Sequence, residues 1–237
     1  MSFSIKYINN CVKEYPDMFK ICIYKDPIVL PINDNRIKRN KVQVDSKTYR
    51  PEISSLSRTK TLLKDIVLCN DFDLFATFTF DPQKIDSFNF IQCLSCITKF
   101  LSHQKDRSPN LQYLIVPEPH KSGRFHFHAL LKNFNGTLKA TNHYSSTGLM
   151  IYNITSYRSG FSTAVFIQDK VAVSEYVSKY ITKDFIKMFN QRRFYCSQGL
   201  IRPNKTLNAP LLEFSLPLFK HKTFETDHTE FYIYDKI

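Results

Sequence analysis

The sequence predicts an α+β fold in which a central, mainly antiparallel sheet carries packed helices. Three observations carry that expectation. Leu74-Phe75-Ala76-Thr77-Phe78-Thr79-Phe80 alternates threonine with phenylalanine at the two-residue period of a strand. Residues 111–118 and 124–131 are two more strand-like runs, separated by the turn-forming Pro119-His120-Lys121-Ser122-Gly123, so a hairpin is expected. Apolar residues recur at helical spacing at Phe90, Ile91, Leu94, Ile97, Phe100 and Leu101, and a second helix is expected over residues 169–188.

Taken in order, the first sixty or so residues are charged and broken by Pro27, Pro31 and Pro51. They read as a basic N-terminal extension, residues 1–56, with only 21–24 and 42–44 hinting at short strands. Its run Arg36-Ile37-Lys38-Arg39-Asn40-Lys41 is either a DNA-contacting arm or a solvated loop. Asp81-Pro82 ends the strand from Leu74, and Asp86-Ser87 is the expected cap of the helix that follows. After the hairpin comes a polar stretch around 136–146, then weaker strand candidates at 149–154 and 163–167. Residues 206–237 read as a C-terminal tail with one short strand at 231–234, which leaves 57–205 as the central domain.

Lysine and arginine number 33 against 21 acidic residues, a formal charge of +12. A polyanionic partner is the first expectation from that balance. The absence of an apolar run long enough to span a bilayer, and of a secretory signal at the first residues, points to a cytoplasmic protein with no membrane partner. The six cysteines are scattered, as expected for reduced thiols, and the single Cys93-x-x-Cys96 pair lies within a helical apolar pattern and reads as buried packing.

The chemistry-bearing residues fall in two short stretches. In Gly123-Arg124-Phe125-His126-Phe127-His128 the histidines project to one strand face while Phe125, Phe127 and Ala129 face the other. Across the hairpin Glu118 ends the neighbouring strand and brings a carboxylate toward the same point, with His120 in the turn as a rival third ligand. Two nitrogens, one oxygen and open positions describe a catalytic metal site, and this mixed donor set suits Mg²⁺ or Mn²⁺ when phosphate completes the shell. In the later helix, at about 100° per residue, Tyr180 lies about 40° from Tyr176, Lys179 about 60° to the other side and Lys183 about 20° away. Two phenols and two ammonium groups thus share a stripe, each tyrosine with a lysine three positions on.

A phenol is almost wholly protonated at neutral pH, so attack on phosphorus needs help on both sides. A neighbouring lysine favours phenolate, and a metal polarises the phosphoryl oxygens. The expected product is a 5′-phosphotyrosine linkage with a free 3′-hydroxyl.

These motifs resemble those of rolling-circle replication initiators of the HUH (histidine-hydrophobic-histidine) superfamily, of the kind encoded by small single-stranded DNA phages and related plasmids. Phe75 through Phe80 is similar to the first strand motif, Glu118 through His128 to the metal-binding motif and Tyr176 through Lys183 to the nucleophile motif. Flanking similarity includes Ser57-Arg58-Thr59-Lys60, Gly160-Phe161-Ser162 and Tyr195-Cys196-Ser197-Gln198-Gly199-Leu200, so it spans about residues 57–205. The resemblance implies an HUH nicking-joining endonuclease domain of RRM or ferredoxin-like topology. It also implies a divalent metal on His126, His128 and Glu118, attack by Tyr176 with Lys179 assisting, and Tyr180, with its own Lys183, as a second tyrosine. Which phenol fires first stays open, as does oligomeric state. Single-stranded origin DNA, a host helicase and a host polymerase in a bacterial cytoplasm are the implied partners, since no phosphate-binding glycine loop for an attached helicase is present. A mobilisation relaxase or single-strand transposase of the same chemistry, a non-catalytic nucleic-acid-binding module and a structural zinc protein are the alternatives.

Overall fold

The computed structural model describes residues 5–31, 51–182, 192–210 and 221–236. The strand candidate at 42–44, the basic run at 36–41, Lys183 and the far end of the helix expected to reach 188 lie outside the described residues. The chain divides into two compact units, residues 50–201 and residues 1–49 with 202–237. Among the described residues no helix is long and apolar enough to cross a membrane.

The larger unit is α+β, as expected. Its strands are β3 (Leu74–Phe78), β4 (Gln112–Pro119), β5 (Phe125–Lys132), β6 (Leu138–Tyr144), β7 (Met150–Ile154), β8 (Ser162–Phe166) and β9 (Tyr195–Cys196). They form a seven-stranded sheet in the order β6-β7-β8-β3-β5-β4-β9, and every pairing is antiparallel. The hairpin β4–β5 is closed by His120 to Gly123, where Gly123 takes a positive φ of 84° that a side chain disfavours. One face of the sheet presents Leu74, Ala76, Phe78, Ile115, Phe125, Phe127, Ala129 and Leu131 to helix α2 (Phe90–Arg107). The other presents Leu114, Val116 and Leu130 to helix α1 (Pro51–Cys69), through its Leu63, Ile66 and Val67, and to helix α3 (Lys170–Ser178), through its Val177.

Helix α2 starts later than Asp86-Ser87. Asn89 is the cap, its side chain accepting from the Gln92 amide at 3.2 Å. Asp86 instead accepts from the Phe88 amide at 3.0 Å and shapes the turn before it. Cys93 is fully buried within α2, and burial first of all pushes its thiol up to about 12, so it packs as a neutral group. Strand β6 occupies the polar stretch, as an exposed edge with a register shift between Ala140 and Tyr144 and Asn142 at a positive φ of 62°.

The ends of the chain are organised differently from an extension and a tail. Strands β1 (Ile5–Glu14), β2 (Met18–Pro31), β10 (Asn204–Leu207), β11 (His221–Glu225) and β12 (Thr229–Asp235) make a five-stranded antiparallel sheet, β10-β1-β2-β12-β11. Val12, Ile21, Phe19, Ile23, Tyr232 and Tyr234 form its apolar face. The short strand expected at 231–234 is thus the middle of β12, paired with β2 through residues 18–24. Neither end carries enough apolar surface to stand as a hairpin alone.

Phe127 is fully buried against Phe80 and Phe90, with ring centroids 5.9 and 6.2 Å away. Phe127→Ala is expected to cost about 3–5 kcal/mol in urea unfolding. Thr163→Ala, on the exposed side of β8, is expected to fall within about 0.5 kcal/mol of wild type.

Candidate active site

The site lies on the α1 and α3 face of the larger sheet. Register lines up Thr163, Thr77, His128 and Val116 across β8, β3, β5 and β4, and one pair further along the hairpin Glu118 stands opposite His126. Directly opposed residues share a face, so both histidines and the carboxylate point toward α3.

His128 is the centre of the arrangement. It is only 5 % exposed. Its Nε2 lies 2.7 Å from Glu118 Oε2 and its Nδ1 lies 3.1 Å from Thr77 Oγ1, so both ring nitrogens are engaged. The ring is sandwiched: Tyr180 stacks on it with centroids 3.7 Å apart and planes 15° apart, and Phe75 lies parallel on the other side at 5.9 Å. Burial lowers the imidazole's proton affinity, and the Glu118 hydrogen bond and charge work against that shift. His126 is half-buried and stacks on His120 at 5.1 Å. Its proton affinity is lowered by burial and then by His120, with Glu118 opposing.

Helix α3 supplies the phenols. Asp169 caps it, accepting from the amides of Val171 and Ala172 at 2.8 and 3.0 Å. A Lys64–Glu175 ion pair at 2.6 Å ties it to α1. Regular α-helix stops at Ser178, earlier than the helical pattern suggested. The amides of Lys179, Tyr180 and Ile181 then bond three residues back, to Tyr176, Val177 and Ser178. Such tight turns are common at helix ends, and the Ser174 and Ser178 hydroxyls already bond to carbonyls of this segment. Ile181 stays buried with Val177, and Tyr180 lies down onto His128.

Tyr176 is 44 % exposed, with its ring edge-on to Tyr180 at 5.4 Å and to Phe75 at 5.6 Å. The Lys179 ammonium lies 5.8 Å from the Tyr176 ring centroid. The Tyr180 phenol is held strongly toward its protonated form, first by burial, then by its hydrogen bond with Tyr176 and by the charges of Tyr176 and Glu118. The structure therefore brings Glu118, His128, Tyr176, Tyr180 and Lys179 together. His126 shares the face but turns toward His120.

Among the described residues, no three His, Cys, Asp or Glu side chains are gathered in the geometry of a metal site. The donor chemistry nevertheless fits a small divalent cation. Thr77 occupies His128 Nδ1 in the manner of an outer hydrogen-bond partner of a metal-bound imidazole, and Nε2 points at a carboxylate one hydrogen bond away.

Two features were not assigned from sequence. Thr77 and Phe75 clamp the histidine ring, a role signalled only by their place on the same strand face. Phe161, at 78 % the most exposed large apolar side chain among those described, continues the row beyond Thr163. Its backbone is locked in place: Phe161 O accepts from the Thr79 amide at 2.9 Å and from Thr79 Oγ1 at 3.2 Å. A side chain at neighbouring Gly160 would put its Cβ 2.2 Å from Thr79 O.

Residues 73–185 match the family model of the replication-associated protein ORF2. That stretch begins one residue before β3 and contains Glu118, both histidines of β5 and the whole of α3. The similarity supports a role in the initiation of DNA replication, and with it an interaction with DNA. No curated protein and no solved structure matches the chain.

Asp169→Ala removes both cap bonds of the helix that presents the phenols. It is expected to lower stability by about 1 kcal/mol in chemical denaturation, whereas Asp169→Asn, which keeps an accepting oxygen, is expected to stay close to wild type.

Proposed function

We propose that this chain is a rolling-circle replication initiator of the HUH type, which nicks and rejoins single-stranded DNA through a tyrosine-linked intermediate. The convergence of the Glu118–His128 pair with two phenols on one sheet face, inside the stretch similar to replication-associated proteins, is the observation that carries it.

Tyr176 is the better placed first nucleophile. It is the accessible phenol, and the Lys179 ammonium favours its ionised form and offsets charge on the phosphate under attack. Its oxygen forms a bond to phosphorus as the bond to the 3′ oxygen breaks. The phenolic proton passes to water, the departing 3′ oxygen takes one back, and the 5′ phosphate stays on the protein. Tyr180, neutral and packed on His128, is the second phenol for a later joining step. Lys183 would serve that tyrosine as Lys179 serves Tyr176. His126, His128 and Glu118 would hold Mg²⁺ or Mn²⁺, which when bound polarises the phosphoryl oxygens and aligns the scissile bond. Thr77 fixes the His128 ring for that purpose. Phe161, exposed on the same face, offers a stacking surface to an unpaired base. Origin DNA, a host helicase and a host polymerase complete the reaction in a bacterial cytoplasm, with a phage or plasmid as the source of the chain.

The direct Glu118–His128 hydrogen bond also suits a second reading, a nucleic-acid-binding module without chemistry. Denaturing electrophoresis separates the two. Wild-type protein incubated with labelled single-stranded origin DNA and Mg²⁺ or Mn²⁺ is expected to give a shifted, protease-sensitive band that chelation abolishes. Tyr176→Phe with Tyr180→Phe is expected to give none, and adducts persisting in that double variant overturn the assignment. Glu118→Ala with His128→Ala is expected to lower adduct formation at least about 100-fold, the scale on which metal-centre and electrostatic contributions act.

A further inference from the structure

The unit built from the two ends of the chain lies outside the matched stretch, and one face of its sheet carries a charge pattern that stability does not explain. Lys13 on β1 stands directly opposite Lys205 on β10 and directly opposite Lys20 on β2. Opposed residues share a face, so three ammonium groups form a row across three adjacent strands spaced about 4.8 Å apart. Like charges directly opposite one another destabilise a sheet. Two residues further along, the same face presents Cys11, Cys22, Phe231 and Phe224 in register. Phe224 and Phe231 stack with centroids 4.5 Å and planes 8° apart, and the Lys20 ammonium lies 5.6 and 5.1 Å from those two rings. Phe224 is 47 % exposed.

The lysines converge on one spot. Burial raises the Cys22 thiol's pKa first, and the charges of Lys20, Lys13 and Lys205 all pull it back down. Acidic residues mostly occupy the opposite face: Glu14 is bonded to Lys236 at 2.8 Å, Glu225 is paired with Lys25, and Glu230 stands opposite Ile23. Asp235, opposite Met18, sits at the edge of the lysine face.

We propose that this basic and aromatic sheet face is a docking surface for single-stranded DNA, separate from the nicking site. The lysine row takes successive phosphates, which removes the repulsion built into the register, and the exposed Phe224 ring takes an unpaired base. A duplex keeps its base faces stacked internally and has no use for that ring. The surface provides strand affinity independent of chemistry at Tyr176.

The test is fluorescence anisotropy of the full chain with a labelled single-stranded oligonucleotide across a salt series in chelator. Lys13→Gln, Lys20→Gln and Lys205→Gln together are expected to flatten the slope of log Kd against log salt by about 2, from three contacts at about 0.7 each. The arginine triple at the same positions is expected to keep the slope. Phe224→Ala is expected to weaken binding about 5-fold or more, and it tests the surface independently should the glutamine triple not fold. Lys99→Gln, Lys105→Gln and Lys139→Gln, with the same charge change in the other unit, are expected to leave the slope alone. A wild-type slope in the first triple, equal flattening in the control triple, wild-type affinity in Phe224→Ala, or equally tight binding of duplex overturns the proposal. Adducts scored on the same variants keep the readings apart: slope lost with adducts retained supports this face, and adducts absent in wild type with its slope intact sink the nicking reading alone.

Discussion

The strict alternation of β5 is the constraint on which the larger unit depends. Phe125, Phe127, Ala129 and Leu131 go into the layer beneath α2, so His126, His128 and Leu130 must emerge on the other face. A slip of one residue in pairing would send the imidazoles into a phenylalanine core and strand the rings in water. The aromatic layer is thus what holds the histidines in register. It pins β5 between β3 and β4, and those strands deliver Thr77 and Glu118 to the two nitrogens of one ring.

A buried imidazole must have both nitrogens satisfied. His128 meets that demand with one neutral hydroxyl and one carboxylate, a pairing that leaves the Nε2 side polar and the Nδ1 side fixed. Phe75 and Tyr180 close the ring's faces. The same sandwich makes the two tyrosines of α3 and its last turn unequal, because one phenol is built into the ring stack and the other stands at its rim. That asymmetry comes from the loosened turn after Ser178, which lowers Tyr180 onto the sheet where a regular helix would have kept both phenols on one stripe.

Much of this was legible in the sequence where a single residue pattern determines a single geometry. The His-Phe-His alternation identified the strand, its faces and its carboxylate neighbour, and the apolar spacing of α2 located that helix to within a turn of its start. The terminal sheet was not legible for a reason of distance: β2 pairs with a strand some two hundred residues away, and each strand, interleaved with lysines, reads alone as a charged extension. Helix α1 was hidden by its polar first half, since its apolar contacts begin only near Leu56 and Leu63. The early end of α3 depends on serine hydroxyls that bond backward to the backbone, which spacing rules do not register.

The pairing of β12 with β2 sets an order of assembly during synthesis. Residues 50–201 hold every strand of their own sheet, so that unit can close soon after its last segment leaves the ribosome. The other sheet stays open until residues 229–235 arrive, and β2 must wait through nearly the whole of translation with an unpaired edge. A truncated or stalled product would therefore carry a finished larger unit beside an exposed, strand-hungry β1–β2 ribbon, and the maturity of the polypeptide is written into which sheet is complete.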